Sequence, residues 1–341
     1  MIREAISAAA SGESLSMDDA IEVMREVMEG EATPAQLGAY LTALALKGET
    51  PEEIAGFATV MREKSLRVDP GGPAIDTCGT GGDRKGTFNI STAAAFVVAG
   101  AGLTVAKHGN RAASGDCGSA DVLEALGVRI ELAPQEVERC LREIGIGFMF
   151  APAYHPAMRY AAPVRREIGI RTVFNVLGPM TNPAGVSCQL IGVGYPEVGQ
   201  KVAEALRLFG THHAIIVHSD DGMDEISLGS DTTGWEVLDG SIRPYVVQPR
   251  QLGLQHATPD DLRGGNPGDN AETMRRVLSG LEGPITDAVV LNSGAALVAG
   301  DMAATLSEGI ELAEDSIHSG KAAEKLDSMI ALTQELAQTG E

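Results

Sequence analysis

The stretch Ala74-Ile-Asp-Thr-Cys-Gly-Thr-Gly-Gly-Asp83, followed by Phe88-Asn-Ile-Ser-Thr92 and an alanine-rich run, decides how the rest of the chain is read. Its start is short and apolar and reads as a buried strand. The strand runs into three glycines within Gly79–Gly82, where backbone N–H groups can approach an anion without Cβ obstruction. Asn89, Ser91 and Thr92 stand at the start of the next helix, so free amides and hydroxyls converge on the same point. The pattern lacks the Gly-Lys-Ser/Thr of a Walker loop and the spacing of a dinucleotide fingerprint. Taken alone, it fits either an anion site or a tight strand-to-helix connection, since such loops recur in folds of many functions.

Downstream, short apolar runs at Leu103–Lys107, Gly145–Phe150, Gln189–Val193 and Ala214–His218 alternate with helical segments. The helical candidates are Ser91–Ala101, Ser119–Leu126, Pro134–Glu143 and Glu197–Phe209. This alternation predicts an α/β fold with a mostly parallel central sheet. A β-hairpin is expected within Gly229–Val247, and helices from Asp269 onward.

Upstream, Met17, Ile21, Met24, Val27 and Met28 recur at helical spacing, as do Leu37, Tyr40, Leu41 and Leu44. Thr33-Pro34 and Thr50-Pro51 read as an N-cap followed by a first-turn proline. Four short helices with no strand between them predict a small helical domain over 1–70, ahead of an α/β domain over 71–341. The stretch His155–Pro183 interrupts the strand–helix alternation with a basic cluster of Arg159, Arg165, Arg166 and Arg171. Helices within 155–183 are expected to return to the helical domain, which would put a cleft at the interface.

Composition narrows the function classes. The 341 residues are 44% hydrophobic and 21% charged, as in a globular chain, and contain no long uncharged apolar run. No signal peptide is read at the start. The four cysteines are scattered without a C-x-x-C pair, which suits a reducing cytoplasm better than a disulfide framework or a structural zinc site. With 47 acidic and 26 basic residues the net charge is −21, a field that repels nucleic acid and anionic membranes. A polyanionic substrate would then need local cations: a metal ion, a few Lys or Arg, and helix N-termini.

Three further motifs could supply them. Lys107-His-Gly-Asn-Arg111 follows an apolar run, and strand carboxyl ends form the ligand crevice of open α/β sheets. Asp220-Asp-Gly-Met-Asp-Glu225 follows another. Adjacent strand residues face opposite ways, so Asp224 and Glu225 could share a metal only from an irregular loop, which Gly222 makes feasible. Arg165 and Arg166 offer planar guanidinium groups suited to a carboxylate, although a charged pair on a helix surface is the commoner arrangement. His155 and His212-His213 have no metal-ligand spacing and are read as structural.

In combination and in order, these segments resemble the anthranilate phosphoribosyltransferases of tryptophan biosynthesis. The resemblance rests on Gly79-Thr-Gly-Gly-Asp83, Asn89-Ile-Ser-Thr92, Lys107-His-Gly-Asn-Arg111, Ser114-Gly115 with Gly118–Leu126, Arg171–Pro179 with Thr181-Asn-Pro183, and Asp224-Glu225. Arg84-Lys85-Gly86 lie in a stretch expected to vary among relatives. The resemblance implies a helical domain joined to a large α/β domain, and a homodimer formed through the helical domains. It implies transfer of the phosphoribosyl group of 5-phosphoribosyl 1-pyrophosphate to the amino nitrogen of anthranilate. Carried over residue by residue, it implies that Gly79, Gly82, Asp83, Thr87, Asn89, Ser91, Thr92, Lys107 and Ser119 bind the donor. Asn110 and Arg165 would bind anthranilate, with Gly79 close to both substrates. Ser91 would ligate one Mg2+, and Asp224 with Glu225 a second.

Two other readings share some of these features. A pyrimidine nucleoside phosphorylase would have the same general architecture, but the Asp224-Glu225 pair and Lys107–Arg111 favour a pyrophosphorylated donor. A silent relative that binds nucleic acid would need a basic groove, against a net charge of −21.

Overall fold

The computed structural model describes residues 1–112 and 115–339. Four helices open the chain: α1 (Ile2–Ala10), α2 (Met17–Met28), α3 (Pro34–Lys47) and α4 (Pro51–Glu63). Thr33 and Thr50 cap α3 and α4 through reciprocal bonds with Gln36 and Glu53, with proline at the first helical position in each. Such caps are worth about 1 kcal/mol apiece and fix where the helices begin. Glu53 does more than cap. Its carboxylate also accepts from the Leu15 N–H at 3.0 Å and from Lys47 Nζ at 2.9 Å, tying the α1–α2 turn and the end of α3 to α4.

Beyond Val68 the alternation begins. Strands β1 (Ile75–Gly79), β2 (Val105–Gly109), β3 (Ile146–Phe150), β4 (Cys188–Gly192) and β5 (His213–Ser219) are parallel, and the hairpin β6 (Thr232–Leu238) and β7 (Ser241–Val247) closes the edge antiparallel. The order is β3-β2-β1-β4-β5-β6-β7. The chain leaves β1 toward β2 and β3, then returns to β4 on the other side. That reversal between β1 and β4 is the topological switch point, where α/β sheets bind ligands at their carboxyl ends.

Helices α5 (Ile90–Gly100), α6 (Ser119–Leu126) and α7 (Pro134–Ile144) follow the first strands, and α11 (Pro196–Leu208) follows β4. Between β3 and β4 the chain forms three short helices: α8 (Ala151–Tyr154), α9 (Ala162–Ile168) and α10 (Phe174–Leu177). It ends in α12 (Pro267–Leu278), α13 (Pro284–Ala299), α14 (Leu306–His318) and α15 (Lys321–Thr339). The expected strands, hairpin and helices are all found, within a residue or two at most ends.

The sheet has two buried faces, and alternation along β5 divides them: Ile215 and Val217 join the core beneath α5 and α13, whereas Ala214 and Ile216 join the other. That second core also contains Val23, Leu41 and Phe57 of the helical bundle, Val164 of α9, Phe174 of α10 and Val202 of α11. The stretch within 155–183 thus packs its helices on the bundle, α9 on α3 and α10 on α4. Asn182 ties the end of the same stretch to the sheet: its Nδ2 donates at 2.8 Å to Asp76 on β1 and at 2.8 Å to the Ala106 carbonyl on β2. No helix among the described residues is long and apolar enough to cross a membrane.

Candidate active site

The glycine turn leaves β1 at the switch point and is held by the loop that follows β5. Gly79 lies against the Asp224 carboxylate, and the Gly81 N–H donates to Asp224 Oδ2 at 2.9 Å. The start of α5 is held in the same way, with the Ser91 N–H donating to Glu225 Oε1 at 3.2 Å. Residues 220–231 form an irregular loop, with Gly222 at φ +87°, so both adjacent carboxylates can turn toward the same corner. The close approach depends on the end of β4: a Cβ at Gly192 would overlap the Asp224 carbonyl. The amides expected to await an anion are therefore there, and in this structure they bond the protein's own carboxylates.

The corner is electrostatically unbalanced. Burial, and then the neighbouring Asp83, push the Asp224 carboxyl up from its ordinary value. Burial, and then Asp224, push Glu225 up as well. Asp83 carries a buried oxygen, Oδ2, with no hydrogen-bond partner among the described residues. The local cation is Lys107, 3% exposed on β2, whose ammonium donates to the Thr77 carbonyl and draws down the pKa of Glu225. Glu225 has Lys107 as a partner and Asp224 has only the like-charged Asp83 and Glu225 beside it, so the corner would gain from a hard cation, although no three of the described side chains stand as a ready-made metal cluster.

The other residues expected at the site fall around this corner. Thr92 is buried in the first turn of α5, and Thr87 bridges to Arg263 in the strand-to-helix loop. Asn89 precedes α5 but does not cap it with its side chain. Its Nδ2 donates to the Cys117 carbonyl at 3.0 Å and its Oδ1 accepts from Asn270 at 2.9 Å, which draws the loop after β2 and helix α12 to the same place. Ser119 opens α6 and its hydroxyl donates to the Asn110 carbonyl at 3.2 Å. Asn110 is exposed at the carboxyl end of β2, while Arg111 beside it is engaged by Asp121 and Glu124. Ser114 lies outside the described residues.

Arg165 stands apart from the carboxylate corner. It lies on α9 with its guanidinium 5.0 Å from the centre of the Phe174 ring, and burial lowers its pKa. No hydrogen bond from its side chain to the donor-side residues is found among the described residues. Next to Lys107 on β2, His108 faces His155, with their Nε2 atoms 3.2 Å apart.

Sequence reasoning did not assign a partner to Asp76, which is fully buried and bonded by Asn182 and by the His108 N–H at 3.3 Å. It also passed over Tyr195 and gave Arg171 no role at the site. The signal for Asp76 was present, since a carboxylate inside an apolar strand needs a partner.

Comparison with known proteins gives the family. Residues 71–323 match the a/b domain of a glycosyl transferase family, and residues 3–65 match its helical bundle domain. Anthranilate phosphoribosyltransferase of Chloroflexus aurantiacus is 57% identical over 335 residues, 98% of this chain and 99% of the relative. The chain belongs to the anthranilate phosphoribosyltransferase family. A Dehalococcoides mccartyi member is 54% identical over 339 residues, 99% of each chain. Among solved structures, the Thermus thermophilus member superposes with a TM-score of 0.92 at 45% identity, covering 97% of this chain and 99% of that one. The Saccharomyces cerevisiae member in complex with PRPP and Mg gives 0.89 at 29% identity, covering 98% of each.

Proposed function

We propose that this corner is where the chain, an anthranilate phosphoribosyltransferase, holds 5-phosphoribosyl 1-pyrophosphate while its phosphoribosyl group is passed to the amino nitrogen of anthranilate and pyrophosphate leaves. The observation that carries the proposal is Asp83 on the glycine turn together with Asp224 and Glu225, which reach from the loop after β5 to bond that turn and the start of α5. Gly79, Gly82, Asp83, Thr87, Asn89, Ser91, Thr92, Lys107 and Ser119 form the donor side. Asn110 and Arg165, with Gly79, form the acceptor side.

The residue types suit Mg2+, with carboxylate oxygens, one of them unpartnered, and a hydroxyl at a helix start, although no three of the described carboxylates are gathered into a metal cluster. Asp224 and Glu225 would hold one ion and Ser91 a second. When bound, such ions neutralise the charge that develops on departing pyrophosphate. Lys107 and the amides of the glycine turn and α5 add fixed positive potential on the same side, where leaving-group charge grows. Anthranilate's amine is neutral near pH 7, so it attacks without losing a proton first and no strong base is required beside it. Arg165, levelled by Phe174, would grip the acceptor's carboxylate and aim the amine across the cleft.

The chain would work as a homodimer in the cytoplasm. Supporting the dimer, Gly38, Thr42 and Ala43 of α3 form a groove with Val164 and Ile168 of α9, and Leu46 is 85% exposed at its edge. Supporting the compartment, all four cysteines are free.

The test is the loss of anthranilate fluorescence on adding the donor. Loss that requires Mg2+, together with a higher KM for anthranilate but not for the donor in Arg165→Ala, is expected. Unchanged anthranilate KM in that variant would remove Arg165 from the acceptor side. Consumption that persists after chelation would remove the metal.

A further inference from the structure

Arg171 is an exposed cation with no ion-pair partner among the described residues, in a chain with 47 acidic and 26 basic residues. Its guanidinium carbon lies 4.2 Å from the centre of the Tyr195 ring. An aromatic face holds a guanidinium in one plane and leaves its charge and its N–H groups available. Carboxylates do the opposite, as at Arg111, whose charge is matched by Asp121 and Glu124.

Its position is specific. Arg171 lies in the connection between α9 and α10, on the bundle side of the molecule, yet its Nη1 reaches the glycine turn. A Cβ at Gly82 would lie 2.5 Å from that nitrogen, and Gly82 has φ +88°, so the turn is glycine here for both its backbone and this approach. Tyr195 belongs to the loop after β4, which also supports the turn: the Gly194 N–H donates to Thr80 Oγ1 at 3.2 Å. One loop therefore positions both the glycine turn and the cation beside it.

We propose that Arg171 binds the pyrophosphate end of the donor from beside the glycine turn, held in place by Tyr195. The proposal rests on the reading of the corner as the donor site. It gives the acidic chain a second local cation for its polyanionic substrate, supplied by the segment that also carries Arg165.

The probe is inorganic pyrophosphate in the presence of Mg2+, followed by calorimetry, alongside steady-state kinetics on the full-length enzyme. Arg171→Ala is expected to weaken pyrophosphate binding and raise the KM for the donor by roughly 10–100-fold, the range for a lost hydrogen bond to a charged group. The KM for anthranilate and the melting temperature stay as in wild type. Salt dependence of pyrophosphate affinity becomes shallower in Arg171→Ala and is restored in Arg171→Lys, a response that a purely structural role would not produce. Tyr195→Leu, which keeps the charge and removes its support, gives a smaller rise in donor KM. Pyrophosphate affinity and donor KM within about twofold of wild type in Arg171→Ala would overturn the proposal, as would weakened binding with an unchanged salt slope. A wild-type enzyme that fails to bind pyrophosphate with Mg2+ would instead strike the donor-site reading itself, and this proposal with it.

Discussion

At the carboxyl ends of the strands, histidines and carboxylates are kept apart; at the amino end of β5 they alternate. The site end gathers Asp83, Asp224 and Glu225 with no histidine among them, and sets His108 against His155 with no carboxylate on either ring. At the other end, His212 lies between Asp239 at 2.8 Å and Asp301 at 2.6 Å, and His213 between Asp301 at 2.7 Å and Glu236 at 3.0 Å. Arg243 completes the chain on Glu236 at 2.6 Å. Burial opposes ionisation of Asp301, yet bonds from His213 and His212 hold its carboxyl below the ordinary value. The same residue types thus build a matched network in one place and two unmatched groups in another. Only unmatched charge is left to act on a substrate, and its cost falls on stability.

The sharpest way to break this contrast is to neutralise the site end. Asp224→Asn with Glu225→Gln removes the mutual repulsion while keeping shape. Turnover at saturating donor and Mg2+ is expected to fall about 1,000-fold, about 4 kcal/mol of activation free energy. The metal-free variant is expected to melt higher than wild type, by about 2 °C for each kcal/mol of repulsion relieved. Turnover near wild type would remove these carboxylates from the reaction, and a lower melting temperature would show that they support the fold.

Much of this arrangement was legible from the sequence, because the signals are local. Short apolar runs, the caps Thr33 and Thr50, and Gly79–Gly82 each act within a few residues, so β1, the bundle helices and the turn fell where expected. Gly222 marked an irregular loop, which is what allows Asp224 and Glu225 to face one corner. What escaped is the choice of partner across long separations. Nothing near Asn89 says that its amide will turn sideways to Cys117 and Asn270 instead of capping α5. Nothing near Asp76 names Asn182, 106 residues on, or gives Arg171 to Tyr195. Topology sets those pairs, and local preference is silent about them.

His108 and His155 at one end and His212 at the other should respond to pH with opposite signs. Burial drives the His108 pKa down to about 3 and that of His155 to about 4, from an ordinary 6.5. Below 6.5 the unfolded chain therefore binds more protons than the folded one, and stability falls as pH drops toward 4. The slope approaches about 1.4 kcal/mol per pH unit for each histidine. Urea denaturation between pH 7 and 4.5 measures it, on top of a background from other groups, and His155→Gln is expected to flatten the curve. An unchanged slope in that variant would mean that His155 accepts a proton in the folded state.

The smallest effects belong to the matched end, and they separate its two histidines. His213 is 5% exposed, so His213→Ala leaves Asp301 and Glu236 short of a donor and costs about 1–3 kcal/mol in denaturation. His212 is 43% exposed, and the bonds that its ring donates to Asp301 and then Asp239 raise its pKa above 6.5. Its contribution is fully present below 6.5 and fades as pH rises through the raised value. His212→Ala is therefore expected to cost less than about 1 kcal/mol at pH 6 and nothing measurable once the wild-type ring has lost its proton. That sign is the reverse of the one at His108 and His155. A cost that grows with pH would mean that His212 is held neutral, and that the contrast between the two ends lies in burial alone.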